Sequence, residues 1–235
     1  MQTTRTFDGI PVKITYKKIK HSYLRVTRGG EVTLSVPRGI NDAYLMSILE
    51  KRADWIREKV RMAEARTPAA FHYESGEKFP LFGEEVTLAI ERGAGRARAD
   101  LSGSTLILRL PLAEEDDYSL RRKLVLSFVS DALKQIIAER LPLWEAKVGR
   151  CASSVTVRAM KTRWGSCTPR SGAIRLNFHL AAYPLACLDY VIVHELTHLW
   201  VAGHGADFWG RVGTVLPNWK QTRRLLSRLP RCPLA

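Results

Sequence analysis

The sequence predicts an α+β protein, with a β-rich accessory lobe over residues 1–112 and a second domain over 113–235 in which one apolar helix lies beside a small sheet. Three patterns carry that expectation. Apolar and polar residues alternate through 7–36 and again through 78–110, the period of half-buried strands. Apolar residues recur at helical spacing over 41–66, and a long helix is expected to follow the second alternating stretch. In the last third, three short strand patterns precede a nearly continuous apolar helix.

Val12-Lys13-Ile14-Thr15-Tyr16 and Val32-Thr33-Leu34-Ser35-Val36, joined around the turn Arg28-Gly29-Gly30-Glu31, predict a small antiparallel sheet. Asn41 or Asp42 can cap a helix running to about Arg66, with Leu45, Ile48, Leu49, Ala53, Ile56 and Val60 on one face and Thr67-Pro68 ending it. Val86-Thr87-Leu88-Ala89-Ile90 and Leu106-Ile107-Leu108, with Arg92-Gly93-Ala94-Gly95 between them, predict a further hairpin. The acidic run Glu114-Glu115-Asp116-Asp117 suits the positive end of a helix macrodipole, and a long helix is expected to reach Lys147, disturbed at Pro142. Strands follow at 155–158, 162–167 and 174–180. Pro184 then opens a helix running to about Trp200, which Gly203 and Gly205 break. No internal repeat or low-complexity tract is visible, which sets repeat architectures aside.

Composition places few further limits. The 235 residues are 46% hydrophobic and 26% charged, which excludes a disordered or fibrous chain. Residues 1–8 lack the apolar core of a signal peptide and no run approaches the roughly 20 apolar residues of a membrane span, so a cytoplasmic location with no membrane partner is the expectation. Cys151, Cys167, Cys187 and Cys232 are irregularly spaced and read as reduced thiols. A net charge of +14 favours an anionic partner, although solvated lysines and arginines with no specific partner explain it equally well. Seven basic residues and no acid lie between Ala146 and Leu188, and six more without an acid follow Asp207.

Residues 194–198 read His-Glu-Leu-Thr-His inside a helical pattern. Positions four apart share a helix face, so His194 and His198 can direct ring nitrogens at one cation about 2.0 to 2.1 Å away. Glu195 is rotated about 100° from His194, beside the cation and not in its coordination sphere. There a carboxylate can take the proton of a water whose pKa the metal has lowered to about 7. His204 adds a third possible ligand, at a point where Gly203 allows the chain to turn back. Three protein ligands with one position open is the catalytic arrangement of zinc; a structural site would use four, often cysteines. A chance His-Glu-x-x-His is expected about once in a hundred sequences of this composition, so packing histidines are the weaker explanation. His21, His72 and His179 read as structural or surface residues.

With these landmarks the sequence resembles the YgjP-like predicted metallopeptidases, which are related more distantly to SprT-like and WLM proteases. The resemblance is carried by Arg163-Trp164-Gly165-Ser166-Cys167, by Leu176-Asn177-Phe178-His179-Leu180 with Pro184, by 189–199, and by His204 with Phe208-Trp209 and Pro217; weaker likeness extends to Val36-Pro37 and Trp55-Ile56. It implies a zincin-like catalytic domain, zinc on His194, His198 and His204, and Glu195 as general base. In zincins a strand edge beside the metal helix aligns an extended substrate, which implies substrate binding by Arg163, Trp164 and Gly165; packing of Trp164 beside a turn at Gly165 is the alternative. Asp189 or Asp207 can orient a ligand histidine or merely cap a helix. Cys167 is discounted as a nucleophile. The spacing of His204 also matches metzincins, but Val201 stands where those need glycine and no methionine follows Met160, so the helix is expected to continue through Val201.

The leading expectation is therefore a zinc metallopeptidase acting on a peptide or protein. Two alternatives stay open: a metal-dependent nucleotide or phosphoanhydride hydrolase, motivated by the basic stretch 147–175, and a DNA-associated protein of SprT-like type, motivated by the net charge.

Overall fold

In the computed structural model, which describes residues 2–27, 29–64, 71–228, 232 and 234, the chain opens with a hairpin. Strands β1 (Gln2–Phe7) and β2 (Ile10–Lys17) join through Asp8 and Gly9, both at positive φ (51° and 74°), as a two-residue primed turn requires. β3 (Tyr23–Val26) and β4 (Val32–Pro37) complete a four-stranded sheet of order β1-β2-β4-β3. The sheet is mixed and not purely antiparallel, because β4 returns alongside β2 in parallel while pairing β3 antiparallel. β1 was not expected, since Gln2-Thr3-Thr4-Arg5-Thr6 has no apolar alternation; it is an exposed edge.

The expected single helix is two, α1 (Asp42–Glu50) and α2 (Ala53–Glu64), and neither glycine nor proline accounts for the break at Lys51-Arg52. Asn41 caps α1 by accepting the Tyr44 N–H at 2.9 Å. Val12, Ile14, Val32, Leu34 and Val36 pack with Leu45, Leu49 and Ile56 in one aliphatic core. The expected helix end at Arg66, Thr67 and Pro68 lies outside the described residues.

A second four-stranded sheet follows: β5 (Lys78–Leu81), β6 (Glu84–Arg92), β7 (Arg98–Ser102) and β8 (Thr105–Leu110), in the order β5-β6-β8-β7. Where a hairpin was expected, the chain repeats the first sheet, with β5/β6 and β7/β8 antiparallel and β6/β8 parallel. The chain divides into two compact units, Met1–Pro68 and Ala69–Ala235, so the boundary expected near residue 112 falls inside the second unit. Leu88, Leu106 and Leu108 share one core with Val129 and Leu133 of the long helix α3 (Tyr118–Val148) and with Leu188 and Ile192 of α4 (Leu185–Thr197).

Asp117 caps α3 by accepting the Ser119 and Leu120 N–H groups, Pro142 lies within its span, and Gly149 ends it in the left-handed conformation (φ 72°). A three-stranded sheet follows, built from β9 (Ser154–Arg158), β10 (Gly165–Thr168) and β11 (Ala173–Asn177) in the order β10-β11-β9, which leaves β10 an edge. A 3-10 turn at Phe178–Ala182 leads into α4, and α5 (Ala206–Val215) and α6 (Trp219–Arg228) complete the unit. The β5–β6 turn is fastened to the start of α4: Phe82 N–H donates to the Ala181 carbonyl at 2.6 Å, and a Cβ on Gly83 would stand 3.0 Å from Pro184 Cα. Among the described residues no helix is long and apolar enough to cross a membrane.

Candidate metal centre

α4 is buried on almost every side, so the polar residues of its last turn are carried into the interior by the apolar ones around them. His194 and His198 stand one turn apart with ring centroids 4.9 Å from each other. The helix ends at Thr197 and does not continue through Val201 as the spacing suggested. Released from helical hydrogen bonding, the Val201 carbonyl lies 3.0 Å from His198 Nδ1. A carbonyl only accepts, so that nitrogen carries the proton and Nε2 keeps its lone pair. The chain then returns to place His204 Nε2 3.1 Å from His194 Nε2. Gly203 is not what permits the return, because its φ is not positive and a Cβ there would meet nothing within 4 Å.

Phe208 on α5 is fully buried and its ring lies 4.6, 4.8 and 4.9 Å from the rings of His198, His204 and His194. Trp209 touches His194 and His204 at 5.8 Å, stacks on Trp219 at 4.3 Å, and carries the Arg223 guanidinium 4.9 Å from its ring. The three imidazoles are therefore held by an aromatic wall. Neither acid offered by the sequence reaches them. Asp189 accepts from Arg140 Nη2 at 3.0 Å and Trp144 Nε1 at 2.7 Å, joining α4 to α3, and Asp207 pairs with Arg211 at 3.1 Å.

The donor set fits a divalent cation. One ring nitrogen from each of His194, His198 and His204 falls within 4.8 Å of the others. Ligand atoms about 2.0 to 2.1 Å from a tetrahedral ion stand about 3.3 Å apart, close to the 3.1 Å between His194 and His204. Burial, then the neighbouring histidines, push His194 down to about 3, so it stays neutral with a lone pair to give; burial lowers His198 too. His194 Nδ1 is buried without a hydrogen-bond partner.

Glu195 leaves the helix on another side and lies against β10. It is 5% exposed, and burial pushes its carboxyl up to about 7 despite the opposing Arg163 charge and the Cys167 backbone N–H donated to it. A Cβ on Gly165 would fall 2.5 Å from Glu195 Oε1, so only glycine at that position leaves room for the carboxylate. The sequence offers Gly165 as a substrate-binding residue; the structure sets it against the Glu195 carboxylate. Burial, then Glu195, raise the Cys167 thiol to about 11, and it stays protonated at neutral pH.

Arg163, Trp164, Gly165, Glu195 and the three histidines line one cleft of about 660 Å³. Two contributors were missed. Tyr190 lines the same cleft one turn before His194, a spacing that could have revealed it, and burial keeps its phenol protonated beyond the usual range. Asn177, 3% exposed, donates to the Met160 and Arg163 carbonyls at 2.7 and 2.6 Å and accepts from His179 N–H at 3.1 Å, tying the cleft wall to the end of β11. No spacing rule announces such a contact. Trp164 packs edge-on to Tyr183 at 5.0 Å.

A family model described as YgjP-like, metallopeptidase domain, matches residues 20–229. Among solved structures, the crystal structure of the metallopeptidase zymogen of Pyrococcus abyssi abylysin is similar at 24% identity and a TM-score of 0.37, over 41% of this chain and 97% of that one. Among curated proteins, none matches the chain.

Proposed function

The chain belongs to the YgjP-like metallopeptidase family, and on that premise we propose that it is a zinc-dependent peptidase with a zincin-like catalytic domain, its metal on His194, His198 and His204. The reading rests on the convergence of the three ring nitrogens within 4.8 Å beside a buried Glu195. A divalent cation held there would supply Lewis acidity, drawing the pKa of water toward about 7 and polarising a carbonyl oxygen.

The chain's own groups do the rest. Ionised Glu195 takes a proton from the attacking water as its oxygen adds to the carbonyl carbon, and returns it to the amine nitrogen as the C–N bond breaks. A carboxyl with a pKa near 7 is well matched to both transfers. Gly165 and the Cys167 N–H hold that carboxylate in place, and the Tyr190 phenol is a protonated donor on the cleft wall. Edge strand β10 suits an extended peptide joining by strand addition, with Arg163 and Trp164 at its start.

Glu195→Gln is expected to keep stoichiometric zinc and lose about 10²- to 10⁴-fold in peptide hydrolysis; an unchanged rate removes Glu195 from the mechanism. One observation favours a second reading, phosphoanhydride hydrolysis: Arg163 faces a cleft whose lining includes no acid other than Glu195. Nucleoside triphosphates assayed beside casein-derived peptides separate the two.

A further inference from the structure

The two sheets of matching topology differ on the faces turned away from their cores. In β1–β4 the buried residues alternate with Lys13, Thr15 and Lys17 on β2 and with Thr33 and Ser35 on β4. The register sets Tyr23 opposite Ser35 and Arg25 opposite Thr33, so these side chains share the open face. Tyr23 is 56% exposed. Lys13 is neutralised by Glu31, whereas no acid is paired with Lys17 or Arg25 among the described residues. Exposed Lys18 and Lys20 continue the positive surface into the loop before Tyr23.

The excess charge of this unit belongs to the strands and loops that precede its helices. Residues 1–41 contain eight Lys or Arg against two Asp or Glu, while residues 42–64, which carry α1 and α2, contain five of each. The other sheet controls for topology. Its open face is cross-linked by Lys78–Glu85 at 2.7 Å, Arg109–Asp100 at 2.7 Å, Arg109–Glu91 at 3.3 Å and Arg98–Asp100 at 3.2 Å.

We propose that the open face of the β1–β4 sheet binds a single-stranded nucleic acid, with Lys17, Lys18, Lys20 and Arg25 at phosphates and Tyr23 stacked on a base. A flat face offering one exposed ring reads an unpaired base and has nothing to enter a duplex groove, since both helices of the unit lie on the covered side. Threonine and serine hydroxyls between the cations suit sugar and phosphate oxygens, and among the described residues no exposed Val, Ile, Leu or Met stands on this face to insert into a lipid surface.

The test is fluorescence anisotropy of the full chain with labelled oligo-dT and oligo-U of about 15 nucleotides, within the usual site sizes of one sheet platform. Four phosphate contacts predict an affinity about 50-fold weaker at 200 mM than at 50 mM salt. Tyr23→Ala should weaken binding about 10-fold and Tyr23→Phe leave it intact. Lys17→Glu with Arg25→Glu should lose it, while Arg170→Glu with Arg175→Glu, in the basic stretch of the other unit, should leave it unchanged. Circular dichroism of each variant excludes unfolding as the cause. The proposal is overturned if wild-type protein does not bind, if the Arg170 and Arg175 variant loses binding instead, if Tyr23→Ala changes nothing, or if a duplex of equal length or phosphatidylserine vesicles bind as tightly.

Discussion

The sheets β1–β4 and β5–β8 share strand order and pairing sense, yet their buried faces meet different company. The first closes against α1 and α2 through buried residues that are all aliphatic, with Phe7 and Tyr16 packed at the margin. The second meets α3 and the 3-10 turn that leads into α4, so its leucines support the helix that carries the histidines. The buried polar residues divide the same way: Asn177, Asp189, Glu195 and Thr197 all lie in the second unit, and none among the described residues lies in the first. One topology serves as a self-contained core in one place and as the foundation of the candidate metal centre in the other. What separates them is the neighbour that each buried face acquires.

The largest test of that contrast is at β10. Gly165→Ala should displace the Glu195 carboxylate and cost about 10²-fold in hydrolysis, the usual penalty for moving a reacting group by about 1 Å. Gly203→Ala, with nothing within 4 Å of its Cβ, should leave the rate unchanged. Equal losses would show that the Glu195 contact is not what Gly165 provides.

A matched pair of core truncations probes the sheets themselves. Leu34 in β4 and Leu108 in β8 are both fully buried on inner strands, and each change to alanine should lower stability by about 2 to 5 kcal/mol. Zinc affinity should survive Leu34→Ala and fall in Leu108→Ala. A loss of affinity in Leu34→Ala would break the comparison.

The smallest effect is a pH dependence in chelator-treated protein. His194, lowered from 6.5 to about 3, binds a proton only when unfolded across that interval, so its contribution to stability is lost as pH falls below 6.5. Glu195, raised from 4.5 to about 7, holds an extra proton when folded, so its contribution is lost as pH rises from 4.5 through 7. Between 4.5 and 6.5 the two slopes oppose each other. Glu195→Gln removes one of them, and its melting temperature should fall more steeply on acidification over that window; parallel profiles would show that Glu195 does not take up the proton.

Much of this was legible because local chemistry decided it. Asn41 and Asp117 cap their helices through side-chain oxygens, the acidic run before α3 marks its start, the apolar residues of α4 mark that helix, and the spacing of His194 and His198 reflects one helical turn. The rest depended on partners distant in the chain. Alternation marks β2 and β4 as strands without saying that they run parallel, and β1 has no alternation to find. The end of α4 at Thr197, the Val201 carbonyl on His198 and the approach of Glu195 to Gly165 are tertiary choices. Asp189 was a reasonable partner for a histidine until α3 brought Arg140 and Trp144 to it.

The aromatic wall behind the histidines has an optical consequence. Trp209 lies 5.8 Å from the rings of both His194 and His204, inside the range over which a coloured or paramagnetic ion drains the excited state of an indole. Cobalt or copper loaded in place of zinc would darken that emission, and the stacked Trp219 would shift with it. The fold thus supplies a built-in test of whether the proposed site takes up a metal, readable in a cuvette without a label or a substrate.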